Sequence, residues 1–182
     1  MRNLMRKPVT WFVTAVVVAG LGVGLALFEP WRAFTSSQLD EPVPVPVAAE
    51  AEAEARTGSS APSTTAPPPP AVLAEGSFMS QEHATEGAAR VLELPDGTRI
   101  LRLEEFSTSD GPDVHVWLSD ATAGGDWNKY DDGRYVALGE IKATDGNHNY
   151  AIPADADLAG LRSVVIWCDR FNVAFGSAPL EL

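Results

Sequence analysis

Cysteine is nearly absent from this 182-residue chain, and Cys168 is the only one. That excludes an intramolecular disulfide, a C-x-x-C redox pair and any multi-cysteine zinc or iron–sulfur centre. Basic side chains are also scarce, 13 against 25 acidic ones, for a formal charge of −12. A phosphate backbone demands a basic footprint, so a nucleic-acid partner is not expected. Ten of the 13 basic residues are Arg, and Val and Ala greatly outnumber Ile, which reads as the codon bias of a GC-rich bacterial genome. There is no G-x-S-x-G elbow and no phosphate-cradling glycine loop, so hydrolase and nucleotide chemistry are not expected either.

What the chain does have comes in three parts. Arg2, Arg6 and Lys7 precede an apolar run from Val9 to Phe28. Twenty helical residues reach ~30 Å, the thickness of a bilayer hydrocarbon core. Trp11 and Trp31 flank it, where indoles favour the membrane interface. The basic flank predicts residues 1–8 in the cytoplasm, a transmembrane helix over 9–28, and everything after it outside the cytoplasm. No small-x-small cleavage site follows, so the pattern predicts an uncleaved single-pass anchor rather than a signal peptide. Residues 29–75 carry Pro42–Pro46, the Ala/Glu stretch Ala48–Ala55 and Pro67–Pro70, with little apolar bulk. This composition predicts a disordered stalk, a spacer able to reach on the order of 100 Å, dispensable for folding.

From Gly76 onward, aromatics and period-two alternation take over. Ala89–Leu94 and Arg99–Phe106 flank the turn Pro95-Asp96-Gly97-Thr98, a hairpin pattern. Val114, Val116 and Leu118 alternate with His115 and Trp117, which places His115 on the face opposite that apolar row. Residues 120–133 are polar and Asp-rich and predict a long solvated loop. Their spacing does not fit an EF-hand. Arg134–Ile141 and His148–Ile152 predict two more strands, separated at Asp145-Gly146. Val164–Trp167 predict a buried strand ending at Cys168, then a break at Asp169-Arg170 and an alternating strand through Phe171, Val173 and Phe175. About seven short strands with no helical period mean an all-β fold, an antiparallel sandwich or barrel over 76–182.

The motifs Gly76-Ser77-Phe78 with His83 and Gly87, then Gly111-Pro112-Asp113, Leu138-Gly139, Asn149-Tyr150, and Val164–Cys168 followed by Phe171 and Gly176 resemble the DM-thirteen domain across 76–182. The resemblance implies a β-sandwich module with a proposed part in extracytoplasmic redox or electron transfer. It also implies that a cysteine is the redox group, here Cys168, and it brings His83 into the set because His83 belongs to the matching motif. His148 stands where the family pattern has Gln, read as a swap at a solvent-facing strand position.

Two readings of Cys168 stand side by side. It is either a packed small hydrophobe or a redox thiol whose pKa Arg170 would lower and Asp169 would raise. A copper site would need two His, a Cys and a weak axial ligand, drawn from His83, His115, His148, Cys168 and Met79. No His follows Cys168 in a tight loop, and nothing in the spacing selects a haem ligand, so no metal or cofactor is assigned. The expected partners are the membrane and a redox protein. The competing expectation is a non-catalytic adhesion or ligand-binding module.

Overall fold

The computed structural model describes residues 6–28, 31, 35–44 and 68–182. Helix α1 runs Arg6–Phe28. Among the described residues no helix is long and apolar enough to cross a membrane.

The rest is β-structure in two five-stranded sheets. The strands are β1 (Gln38–Asp40), β2 (Ala71–Ser77), β3 (Met79–Ser80), β4 (Glu86–Glu93), β5 (Arg99–Ser107), β6 (Val114–Ser119), β7 (Tyr135–Glu140), β8 (Asp145–Ala151), β9 (Ser163–Cys168) and β10 (Val173–Pro179). One sheet has the order β1-β8-β5-β4-β2 and the other β3-β10-β9-β6-β7. Every pairing is antiparallel except β1 with β8. The main core lies between the sheets, with Val91, Leu101, Leu103 and Phe106 facing Val116, Leu118, Val164 and Ile166. The all-β sandwich expected from alternation is the fold observed.

The hairpin forms as its turn chemistry dictates. Gly97 adopts φ +83°, the Leu94 amide donates to Thr98 O at 2.8 Å, and the Thr98 amide is capped by Asp96 Oδ1. Strand β9 is buried on both faces. Val164, Ile166 and Cys168 point into the main core, while Val165 and Trp167 join Trp117, Tyr130 and Ala174 in a second cluster on the outer side. Residues 120–134 cover that cluster. The Asp side chains of this loop stand toward solvent, but Tyr130 is fully buried and its hydroxyl meets Ser177 Oγ at 2.8 Å. The expected solvated loop is thus pinned at one aromatic residue.

Three expectations need correction. Asp145-Gly146 is not a separator but the start of β8, because the preceding turn lies at 141–144. Phe171 is not in a strand. Residues 169–172 form the turn, Asn172 takes a left-handed φ of 55°, and Phe171 is 48% exposed. The expected disordered stalk over 29–75 also fails in two places. Residues 71–75 belong to β2, and residues 35–44 lie along β8 through β1. A three-residue strand carries too little alternation to be read locally, and its order comes from the edge it joins. Residues 45–67 of the expected stalk lie outside the described residues.

The Tyr130 anchor generates a test. Tyr130→Phe removes one buried hydroxyl bond, also shared with Gln81 Oε1 at 3.2 Å, and should cost about 1–2 kcal/mol. The expected result is a lower thermal midpoint, by roughly 4–8 °C per kcal/mol at this domain size, with faster proteolysis inside 120–134. An unchanged midpoint would show that the loop is held by apolar contact alone.

Candidate functional site

The ladder fixes where Cys168 sits. It ends β9, the central strand of its sheet, with Val114 of β6 as its register partner on one side and Val173 of β10 on the other. One step further out, the Asp169 amide donates to Asp113 O at 2.9 Å, so the two Asp residues face each other beyond the strand ends. Alternation sends Cys168 inward and Asp169 outward. The thiol has no exposed surface.

Burial pushes the Cys168 thiol above its ordinary pKa, and the Asp113 carboxylate adds to the rise. Backbone amides of Phe171, Arg170 and Asp113 act in the opposite sense by donating toward the sulfur, without reversing the balance. Arg170 acts on the thiol through its backbone N–H, which the turn 169–172 presents to the sulfur. A thiol held mostly protonated is a weak nucleophile in the closed fold.

His83 follows β3 and reaches the core through an aromatic neighbour. Its ring lies edge-on to Phe175 at 4.0 Å, and its Nε2 is 2.6 Å from Glu82 Oε2. Phe175 and Cys168 belong to the same core. Gly111, in the matching Gly-Pro-Asp motif, is required there, since a Cβ would lie 2.7 Å from Val114 Cγ2 and 3.0 Å from Phe175 Cζ.

The copper set is dispersed. His148 lies on the opposite sheet, His115 is on the outer face beside Trp167, and Met79 is exposed on an edge strand. Among the described residues, the group with a cation-type donor set is Asp113, His115 and Asp169, whose donor atoms lie within 4.8 Å of one another. Each already has a partner. His115 Nε2 meets Asp113 Oδ1 at 2.9 Å, and the Trp167 indole donates to Asp169 Oδ1 at 2.8 Å. Sequence reasoning missed this cluster because Asp169 lies far along the chain from Asp113 and His115 and only the β6–β9 register unites them. The one local signal was His115 standing out of phase with the apolar row, as observed.

A family model described as electron transfer DM13 matches residues 77–180, more than half of the chain. The chain belongs to the DM13 family. Comparison with curated proteins and with solved structures gives no match. The DM13 membership carries a redox-related role with it, and the motif residues His83, Gly111, Asp113 and Cys168 all fall inside the matched segment.

His148, where the DM13 pattern led us to expect Gln, is fully buried rather than solvent-facing. Its Nε2 donates to Asp145 O at 3.1 Å, and its buried Nδ1 has no partner. Burial lowers its pKa first, and Lys142 adds to the lowering, against the Asp145 carbonyl and the Glu41 and Asp40 carboxylates. The folded state therefore binds this proton less readily than the unfolded chain, whose His titrates near 6.5. Stability is fully present above pH 6.5 and should fall as pH drops below it. Denaturant midpoints at pH 7.5 and 5.5 check this, and His148→Gln should flatten the difference. Equal pH dependence in the two proteins would clear His148 of the role.

Proposed function

We propose that this DM13 protein is a membrane-anchored, extracytoplasmic redox module in which Cys168 carries the redox change. The observation that carries the reading is the setting of the sulfur. The chain's single thiol is closed inside the core, yet a four-residue turn aims backbone amides at it. Such donors stabilise negative charge on sulfur once it forms. The turn 169–172, with its exposed Phe171, is the part that must move to admit a partner.

The exchange is thiol–disulfide. The Cys168 thiolate attacks a disulfide of a partner protein, a new sulfur–sulfur bond forms, and the old one breaks. The displaced partner thiolate takes up the proton lost by the Cys168 thiol, so the Cys168 sulfur is oxidised by one formal level, the partner's departing sulfur is reduced by one, and the attacked sulfur is unchanged in the mixed disulfide. Arg2, Arg6 and Lys7 set the orientation, with the N-terminus cytoplasmic and Val9–Phe28 retained. Intact mass of membrane-extracted protein tests that part, and a mature N-terminus beyond Phe28 rules it out.

The complete burial of Cys168 and its raised pKa favour a second reading, a non-catalytic binding module in which the sulfur is only core. Cys168→Ser separates the two. The redox reading expects slow labelling of the native thiol, limited by turn opening, and loss of any mixed disulfide in the variant with little loss of stability. The packing reading expects labelling only upon global unfolding, together with destabilisation of about 1–3 kcal/mol from a buried unpaired hydroxyl.

A further inference from the structure

Residues 35–44 make more specific contacts with the sandwich than a spacer has any reason to make. The strand β1 adds to the β8 edge in parallel, with Gln38, Leu39 and Asp40 opposite Asp145, Gly146 and Asn147. The Asp145 amide donates to Ser37 O at 2.9 Å and the Glu41 amide to Asn147 O at 2.8 Å. Asp40 Oδ1 takes both the backbone and the side-chain N–H of Asn147. Glu41 is held by Lys142 Nζ at 2.9 Å and by the Asn149 amide at 2.7 Å, and its carbonyl accepts from Arg102. Val43 packs on Leu92, Leu94 and Ile100.

The receiving edge is shaped for this segment. Gly146 has φ +112°, and a Cβ there would overlap the carbonyl of Leu39. The Glu41 carboxylate meets Lys142, the Glu41 carbonyl meets Arg102 and the Asp40 carboxylate meets Asn147, so side-chain pairing and backbone shape select the same register. The segment starts seven residues after the end of α1, which at ~3.5 Å per residue allows about 25 Å between them. The chain then leaves the sheet at residue 44 and rejoins it at β2, on the opposite edge.

We infer that residues 35–44 are a docked tether that binds the β8 edge non-covalently, so that the domain is held within about 25 Å of the end of α1. The Pro/Ala-rich stretch then connects two strands of one sheet and does not set the distance from the helix. Cutting that stretch leaves the domain attached. The edge of β8 is thus an interaction surface whose occupant is an acidic extended segment of the same chain, and the hold is broken by whatever displaces that segment.

The test uses the full chain with a cysteine pair placed in register, Gln38→Cys with Asp145→Cys. Mild oxidation should close this pair in most folded molecules. Adding Glu41→Lys, which faces Lys142, should reduce closure several-fold. A control pair of Gln38→Cys with Asp131→Cys, on the loop of the other sheet, should stay open. Should Asp145→Cys impair folding, Asp40→Cys with Asn147→Cys replaces it. Closure no greater than in the control overturns docking.

A protease site inserted within 48–55 gives the second arm. After cleavage at micromolar protein, the domain should co-elute with the N-terminal piece, and Glu41→Lys should release it. Separation upon cleavage alone overturns the non-covalent hold. On membranes the result rests on α1 as the anchor, and the two failures differ. An intact chain that does not sediment with membranes refutes the anchor. An intact chain that sediments while its cut domain does not refutes the tether.

Discussion

Two-sided burial of β9 is the constraint from which the remaining structure follows. A central strand that reads Ser-Val-Val-Ile-Trp-Cys must cover both faces, and one sheet pairing can cover only one of them. The second sheet closes over Val164, Ile166 and Cys168. The loop 120–134 closes over Val165 and Trp167 and delivers Tyr130 to seal the indoles of Trp117 and Trp167. The strand therefore fixes the sandwich, the path of the long loop and the position of the only thiol at once. Removing an apolar residue from it would open a cavity against the facing sheet or against the loop, according to the face it occupies.

The same constraint gives the candidate site its character. Because β9 ends at the rim of the sandwich, Cys168 is the last inward-facing position before the chain turns. Its sulfur belongs to the core while the next residue, Asp169, is outside. The chemistry is divided by one peptide unit, with a neutral, desolvated thiol on one side and a polar cluster of Asp113, His115 and Asp169 on the other. The two sets communicate through backbone amides and through the Asp113 charge. The turn 169–172 follows directly on the buried thiol.

The other sheet is governed by its edge. An open β8 would expose unpaired backbone groups and leave Arg102 without the Glu41 carbonyl. The segment 35–44 covers that edge, and it also supplies Glu41, whose carboxyl meets Lys142 while its charge acts on His148. Segments far apart in sequence thus share one electrostatic environment. What looks in composition like the beginning of a spacer is a component of the folded unit.

The alternation of Val114, Val116 and Leu118, the Asp96-Gly97 turn and the apolar run of β9 determined the sandwich, its hairpin and the inward or outward sense of the β6 residues, because these are periodic local signals. They also placed Cys168 at a strand end and His115 on the outer face. The sequence was silent on what those residues touch. Burial of the thiol, the approach of the Arg170 backbone N–H to it, the inward turn of His148 and the union of Asp113 with Asp169 are products of the fold. The same holds for the docked segment, since three residues pairing with a strand 107 positions away leave no repeating pattern in the chain. Only the folded edge of β8 supplies the hydrogen-bonding groups and the charge that give that segment its place.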